Sequence, residues 1–481
     1  MKKIKLMLVT FIAVLTVIIG GKALAYDVTV SDANTGHTYE SEQVFSGSLS
    51  DDGTTLSNIQ WGTGVTEAGK TAIETDYHVN SAQELAEKMT KFSAADAEAF
   101  AAEVGNYLQK PAGLSGLEAG YYLIKDKDGT LDHADKAYTS YILKLVKNEK
   151  VTPKSDVPTV TKKVKDTNDT TGVTTDWQDA ADYDINDKVP FQLTATLPSN
   201  LASYKEYSLE LKDTLSSGLT YNKDAKIYLV NGINKADVTA LFTVADDGSS
   251  FKINNLKSID GVLSSSKIVV EYSAKLNENA VVGVEGNPNE VSLVYSNNPN
   301  FTGNGETSPK GDTPKDKVRV FTYQVVVNKV DQDGNPLKGA GFTLYKKDIS
   351  GVWHTVKVLN SGDATTFAFK GLDDGDYKLS ETVTPSGYNS IADIEFSITA
   401  EHDTLSDNPT LISLSGKTTS GTATFSSDSN IGTLSTKVEN KKGSILPSTG
   451  SIGTKVFYLA GIILVLGAGV LIVTKKRTEM T

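Results

Sequence analysis

Short runs of alternating apolar and polar residues fill most of the sequence between residues 157 and 442. Val, Thr and Tyr are common in these runs, and clusters of Gly, Asn, Asp and Ser separate one run from the next. Alternation with a period of two indicates a strand that buries one face, because successive side chains of a strand point to opposite faces. Several such strands between turn signals favour sandwiches, so we expect a mostly β protein.

The chain has 481 residues, which is more than one sandwich core usually holds, so several domains are expected. Two stretches are interpreted as linkers: 148–158, where Pro153 and Pro158 lie close together, and 297–317, which is dense in Asn, Gly and Pro. The predicted domains are 26–156, 157–316 and 317–443.

Both ends of the sequence carry processing signals. Residues 1–25 combine lysines, a short apolar run and the small residues Ala23 and Ala25, which predicts a signal peptide cut by signal peptidase. Residues 444–481 contain a pentapeptide, then the apolar stretch 456–473 and a basic tail, and the stretch is about long enough to span a bilayer. The pentapeptide is Leu446, Pro447, Ser448, Thr449 and Gly450. We expect an exported protein held at the cell surface.

Composition excludes several functional classes. The chain has no cysteine, so an exported protein of this kind must be stabilised by something other than disulfides. Its formal net charge is −12 and it has no basic stripe with interleaved aromatic residues, which argues against nucleic-acid binding. The five histidines lack the spacing of metal ligands, and no nucleophile elbow or phosphate loop is present. We expect no cofactor, no metal and no enzymatic turnover.

Three polar residues of the third domain fall in phase with its apolar core positions. Lys329 follows Val325 and Val327 at intervals of two, and Glu381 and Asn440 hold equivalent positions in a middle strand and the last strand. Burial of such groups without partners would cost several kcal/mol each. They are therefore predicted to satisfy one another.

The second domain has a similar set. Lys162, Asp213 and Asn289 are each in phase with apolar neighbours in their predicted strands. Lys163 and Glu271 remain rivals for the positions of the lysine and the acid.

The first domain follows a different pattern. Ser81-x-x-Glu84 and Ser93-x-x-Asp96 are typical of helix starts, so helices are predicted among its strands. Its opening strand has no lysine at the corresponding place, and no cross-link is predicted there.

The third domain resembles the Cna-B-type immunoglobulin-like domains of Gram-positive surface proteins. The matching stretches are VNKVDQDGNPLKGAGFTLYKK, YKLSETVTPSGY and KVEN. The second domain resembles the related Cna-A-like pilin domain through TVTKKVKD, LELKDTLSSGLTY and NEVSLVYSNNP. This likeness implies tandem immunoglobulin-like sandwiches with intramolecular isopeptide bonds. It implies bonds of Lys329 to Asn440 with Glu381 as catalytic acid, and of Lys162 to Asn289 with Asp213 as catalytic acid.

The C-terminal order resembles the LPXTG sorting signal, which sortase cuts between Thr and Gly. The stretch VTPK resembles the pilin motif, although Thr152 stands where the family has Tyr. The resemblance implies a major pilin whose Lys154 accepts the Thr449 carbonyl of the next subunit, with Lys144, Lys147 and Lys150 as rival acceptors.

The partners implied are identical subunits, a pilin sortase, a housekeeping sortase and peptidoglycan. Minor pilins and host-surface ligands are further candidates, since the resemblance also implies a role in adhesion. The alternatives are a monomeric anchored adhesin with a Cna-type stalk, a minor pilin, and a wall-bound enzyme housed in the first domain.

Overall fold

Apolar side chains at alternating strand positions form separate cores in three successive domains of this computed structural model. The structure describes residues 25–31, 36–152, 156–301, 303–360, 362–443 and 453–478. The predicted class, mostly β with tandem sandwiches, is confirmed.

In the first domain three helices pack on a four-stranded antiparallel sheet of order β3-β2-β4-β5. Both predicted helix starts are confirmed, because the Ser81 and Ser93 hydroxyls accept hydrogen bonds from the amides of Glu84 and Asp96. Strands β1 and β6 pair in parallel beside this sheet. The elements are β1 (Val28–Val30), β2 (Tyr39–Leu49), β3 (Leu56–Trp61), α1 (Glu67–Asp76), α2 (Ala82–Met89), α3 (Ala94–Gly105), β4 (Gly120–Asp126), β5 (Ser140–Leu145) and β6 (Glu149–Val151).

The second domain is a sandwich of two sheets. One has the order β14-β15-β10-β17-β19-β8, with β18 on β17, and the other β13-β12-β16-β9-β7, with β11 on β16. Its strands are β7 (Val160–Val164), β8 (Ala180–Asp182), β9 (Lys188–Thr196), β10 (Leu209–Leu215), β11 (Leu219–Tyr221), β12 (Lys226–Asn231), β13 (Asn234–Asp237), β14 (Thr243–Val244), β15 (Ser250–Ile253), β16 (Lys267–Leu276), β17 (Asn287–Ser296), β18 (Lys310–Asp312) and β19 (Asp316–Phe321). Short 3₁₀ turns lie at Leu201–Ser203, Thr239–Leu241 and Leu256–Ser258.

The third domain is also a sandwich, with sheets of order β23-β20-β28-β27 and β22-β21-β24-β25-β26. Its first and last strands, β20 and β28, are parallel neighbours over eight residue pairs. The strands are β20 (Tyr323–Asp331), β21 (Gly341–Lys347), β22 (Trp353–Asn360), β23 (Thr366–Leu372), β24 (Gly375–Val383), β25 (Ile394–His402), β26 (Leu411–Ser420), β27 (Phe425–Asp428) and β28 (Thr433–Asn440).

The two predicted linkers are more ordered than the sequence suggested. The first linker begins as strand β6, because its backbone pairs with β1. The second is not a linker: Asn297 is buried, its side chain donates to the Leu131 carbonyl, and β18 and β19 belong to the second sandwich. The prediction from composition is wrong here because Gly and Asn are common both in linkers and where two backbones pack closely together.

Helix α4 (Gly453–Thr478) follows the three domains. Among the residues whose side chains are described, which leave out parts of both ends of α4, no helix is long and apolar enough to cross a membrane.

The second and third domains meet backbone to backbone at Gly283. Its φ is 90°, and a Cβ there would lie 2.6 Å from the Ile431 carbonyl carbon. We expect Gly283→Ala to lower the free energy of unfolding by about 1–3 kcal/mol more than Gly261→Ala, since overpacking adds to the backbone strain. Gly261 is a matched control, because its φ is 77° and no atom lies within 4 Å of its added Cβ. Equal thermal midpoints for the two variants would contradict this close contact.

Candidate functional site

Lys162 is the fully buried cation of the second sandwich. Strand β7 alternates with Val160, Lys162 and Val164 pointing inward, so the amine is carried into the apolar core. Its exposed fraction is 0%, and the rings of Phe191 and Tyr272 lie 5.6 and 5.5 Å from its nitrogen.

The predicted partners of Lys162 come together around this amine. Asp213 on β10 and Asn289 on β17 lie on the opposite sheet and are also buried. Lys162 Nζ donates to Asp213 Oδ1 and, over 2.5 Å, to Asn289 Oδ1. The lysine and the amide that would join are thus in direct contact, with a carboxylate beside them.

Tyr272 is a fourth member of this group that the sequence reasoning missed. Its hydroxyl donates to Asp213 Oδ2 over 2.5 Å, and accepts from Asn289 Nδ2 over 2.7 Å and from Lys162 Nζ over 3.1 Å. A signal was available: Val270, Tyr272 and Ala274 share the inward phase of β16, which brings the Tyr hydroxyl into the core.

Burial favours the neutral forms of the central pair. It lowers the pKa of Lys162 to about 8, although the Asp213 carboxylate acts in the opposite direction. It also raises the pKa of Asp213, against the effect of the nearby ammonium. Both shifts ease proton transfer from the lysine to the carboxylate, which would leave a nucleophilic amine.

The two rival residues face elsewhere. Lys163 is half-buried and pairs with Asp179. Glu271 accepts from Lys235 over 2.9 Å and from Gln192 over 3.0 Å, at the surface of its sheet. Neither of them forms a hydrogen bond with Asn289 in the part of the chain that the structure describes.

In the third sandwich, Lys329 lies in the core with an exposed fraction of 1%. Its Nζ donates to the Val330 and Val438 carbonyls, each over 2.9 Å, and β20 is the parallel neighbour of the strand that carries Asn440. Burial lowers the pKa of Lys329, and the negative charge of Glu381 opposes this effect.

Asn440 and Glu381 are in direct contact across the third sandwich. Asn440 Nδ2 donates to Glu381 Oε2 over 2.9 Å and to the Asn389 carbonyl over 2.7 Å. Glu381 Oε1 and Asn440 Oδ1 are buried, and neither has a hydrogen-bond partner among the described residues. The three predicted residues thus converge, while Lys329 is hydrogen-bonded to backbone carbonyls rather than to Asn440.

Most residues predicted for processing and for intermolecular linkage lie outside the described part of the chain. Lys154, the signal peptidase residue Ala23 and the pentapeptide of residues 446–450 fall there, so their roles stay predictions. Among the rival acceptors, Lys144 donates to the Thr54 carbonyl over 3.1 Å, whereas Lys147 and Lys150 are exposed.

A third buried lysine joins the second domain to the third. Lys346 on β21 donates to Asp373 and to two aspartates of the second domain, Asp184 over 2.6 Å and Asp169 over 2.9 Å. These carboxylates and Asp187 are close enough to hold a metal ion, and the Lys346 ammonium lies among them. Their negative charges raise the pKa of Lys346, the reverse of the shift at Lys162.

A further group of possible metal ligands lies at the same junction. Asp166, Asp182 and His402 offer ligand atoms within 4.8 Å of one another. Burial lowers the pKa of His402 to about 4, and its Nε2 is hydrogen-bonded to the Tyr323 hydroxyl over 2.6 Å.

Comparison with known proteins finds two matching sequence families, one similar surface protein and similar solved structures. Residues 438–479 match the LPXTG cell wall anchor motif, and residues 323–410 match SpaA, the prealbumin-like fold domain. The trypsin-resistant surface T6 protein of Streptococcus pyogenes serotype M6 is 29% identical over 386 residues, which is 67% of this chain and 70% of that protein. The solved T6 backbone pilin of that serotype superposes with a TM-score of 0.58 at 18% identity, covering 88% of this chain and all of that one.

The chain is an LPXTG-anchored surface protein with the fold of a backbone pilin. The predicted cell-wall location is thereby confirmed. In this pilin-like protein the matched prealbumin-like region begins on β20, six residues before Lys329, and the anchor match begins two residues before Asn440.

Replacement of Lys346 tests the charged junction between the second and third domains. Lys346→Met leaves buried carboxylates without their cation, so we expect a loss of about 3–5 kcal/mol in the free energy of unfolding. Lys338→Met is the control, because Lys338 forms an exposed pair with Asp363 and should cost less than about 1 kcal/mol. Chemical denaturation measures both losses, and equal losses would contradict the assigned role.

The loss in the free energy of unfolding caused by Lys346→Met should also depend on pH. Burial raises the pKa of Asp187 to about 7 and that of Asp373 well above its usual value, so the folded chain binds more protons than the unfolded chain between about pH 4 and 7. The stability that protonated Asp187 and Asp373 contribute is present below the pKa of an aspartate in the unfolded chain. It is lost as the pH rises through the pKa values that these residues have in the folded chain. The effect of Lys346→Met should therefore be larger at pH 8 than at pH 5.

Proposed function

We propose that this protein is the major subunit of a covalent pilus, stabilised by one intramolecular Lys–Asn amide in each of its second and third domains. The observation that carries the proposal is the contact of buried Lys162 with both Asp213 and Asn289. A simple ion pair explains this group poorly. Burial removes water from the lysine, the carboxylate and the carboxamide, and the loss of hydration is unfavourable for each of them.

In the second domain the chemistry begins with Asp213. Its carboxylate takes a proton from the Lys162 ammonium, and the neutral amine then attacks the Asn289 Cγ. The new C–N bond replaces the Cγ–Nδ2 bond, and one ammonia leaves. The groups are positioned by strands of both sheets, so proximity lowers the barrier without external energy. Each domain would react once, so no turnover is involved.

The third domain supports the same reaction with Glu381 as acid. Glu381 Oε2 already accepts from the Asn440 amide, and Lys329 is held on the adjacent parallel strand. The Lys329 side chain must turn from the Val438 carbonyl toward Asn440, one inward position further along β28. Removal of ammonia would join the first strand of the domain to its last.

Polymerisation would use Lys154 and Thr449. The residues on either side of the acceptor are held, since β6 pairs with β1 up to Val151 and Asp156 accepts from the Ser199 amide over 2.5 Å. A sortase-bound donor requires an acceptor amine within its reach, and residues with such functions are common in surface segments between domains. Joining Thr449 of one subunit to Lys154 of the next repeats without closing, which produces a fibre. A housekeeping sortase would finally attach the base subunit to peptidoglycan.

The internal amides would also explain how a chain without cysteine survives outside the cell. Lys162 and Asn289 are 127 positions apart, and a covalent link closing a loop of this length is worth about 5 kcal/mol by the chain-entropy estimate. The related T6 protein is named for its resistance to trypsin, and we expect the same property here.

The intact mass of the mature chain tests the internal bonds. Wild type should weigh less than its sequence mass by two ammonias, because each domain expels one. Lys162→Ala and Lys329→Ala should each lose only one, and the double variant none.

Lys163→Ala is the matched control and should lose two ammonias like wild type. If Lys163→Ala loses one and Lys162→Ala loses two, the assignment within the second domain is wrong. An unchanged wild-type mass would remove both bonds.

The acceptor is tested by the size of wall-released material in detergent gels. Wild type should form a ladder of covalent oligomers that survives boiling, and Lys154→Ala should abolish it because the donor Thr449 then has no amine to join. Lys150→Ala is the control, since Lys150 is an exposed neighbour on β6. A single wall-anchored band in wild type would instead favour the monomeric adhesin, and loss of the ladder in Lys150→Ala alone would move the acceptor to that residue.

A further inference from the structure

We propose that Tyr272 is a catalytic residue of the second domain, which carries a proton from the attacking Lys162 nitrogen to the departing Asn289 nitrogen. This inference rests on the proposed amide-forming function and assigns to its second-domain site a group that neither the sequence motifs nor the family likeness supplied.

The geometry is that of a relay. The Tyr272 hydroxyl contacts both nitrogens of the exchange, Lys162 Nζ at 3.1 Å and Asn289 Nδ2 at 2.7 Å. Its own proton is donated to Asp213 Oδ2 over 2.5 Å. One oxygen atom thus lies within hydrogen-bond reach of the nucleophile, the leaving group and the acid, as proton transfer in a transition state requires.

The phenol is held in this position by packing. Tyr272 is buried, and the rings of Phe191, Tyr221 and Phe251 lie 5.4, 5.6 and 5.8 Å from its ring. A hydroxyl so deep in an apolar core must be hydrogen-bonded, and all of its described hydrogen bonds go to the three reacting groups. Burial and the Asp213 carboxylate raise its pKa far above the usual value, so it remains a neutral phenol that can accept one proton while giving another.

Comparison of the two sandwiches shows why a relay is needed in one of them. In the third domain the longer acid Glu381 reaches the leaving nitrogen of Asn440 directly, over 2.9 Å. In the second domain the acid is Asp213, one methylene shorter, and among the described residues no hydrogen bond joins it to Asn289. The Tyr272 hydroxyl spans that gap, bonded to the acid on one side and to the amide nitrogen on the other.

The proton balance closes without another reactant. Asp213 takes one proton from the Lys162 ammonium, and the neutral amine forms the C–N bond to Asn289 Cγ. Tyr272 then gives its hydroxyl proton to the Asn289 nitrogen as it accepts one from the attacking nitrogen. The Cγ–Nδ2 bond breaks, ammonia leaves, and Asp213 returns its proton to make ammonium. Tyr272 and Asp213 end in the states in which they began.

The test follows amide formation in the mature chain carrying Lys329→Ala, so that ammonia loss reports the second domain alone. The chain is labelled in a short pulse of cell-free synthesis, and its mass is then measured over time. The Lys329→Ala chain with Tyr at position 272 is compared with the same chain carrying Tyr272→Phe. General acid–base catalysis contributes about 10²- to 10⁴-fold, so we expect Tyr272→Phe to slow ammonia loss by about 100-fold or more. Formation at the wild-type rate would overturn the proposal.

Two controls separate chemistry from packing. Tyr207→Phe removes another buried tyrosine hydroxyl from the same core, one that has no hydrogen-bond partner among the described residues, so it should retain most of the rate. A fluorotyrosine introduced at position 272 restores the hydroxyl with a different acidity, and should restore a rate with an altered pH dependence and a solvent deuterium isotope effect.

The remaining outcomes are also decisive. If Tyr207→Phe slows the reaction as much as Tyr272→Phe, or if the fluorotyrosine rate does not respond to acidity, Tyr272 is only a packing residue. If Tyr272→Phe does not fold, as judged by circular dichroism, the fluorotyrosine series alone decides in the same way. If the chain with Tyr at 272 loses no ammonia, the amide-forming function itself is wrong.

Discussion

A lysine amine inside a β-sandwich is tolerated only when the groups around it satisfy its hydrogen bonds and its charge. At Lys162 those groups are one carboxylate, one carboxamide and one phenol, all buried and all from strands of the same domain. This constraint dictates which strands must lie opposite each other, because β7 has to face β10 and β17 across the core. The sandwich and the reactive group are therefore specified together.

Lys162 and Lys346 show how the number of carboxylates decides the fate of a buried lysine. Lys162 faces Asp213, and its pKa falls to about 8, so the amine can lose its proton. Lys346 faces Asp169, Asp184 and Asp373, and its pKa rises, so it stays an ammonium ion. The first environment suits a nucleophile, whereas the second suits a permanent electrostatic contact between domains.

Strand periodicity was enough to predict much of the fold and most of the candidate site. Lys162, Asp213, Asn289 and Lys329 are buried in the phase expected from their neighbours. Phase says which face a side chain occupies but not which groups meet across a core. For that reason the sequence pattern does not distinguish Tyr272 from the apolar core residues beside it on β16.

Contacts between domains were the least predictable part. The three aspartates around Lys346 come from two domains, and no local pattern connects residues so distant in sequence. The prediction of a linker at 297–317 is wrong for the same reason. Its turn residues are packed against the first domain, and no local pattern in the sequence indicates this contact. Composition describes local flexibility, and only the folded chain reveals what a loop touches.

The parallel pairing of β20 with β28 has a mechanical consequence. A pull along a fibre would enter the third domain at its first strand and leave from its last. With Lys329 joined to Asn440, tension would pass directly from one strand to the other. The intervening segment 330–439, a whole sandwich of loops and strands, would then carry no load, and its surface would be free to vary in length and sequence while the tether stayed inextensible.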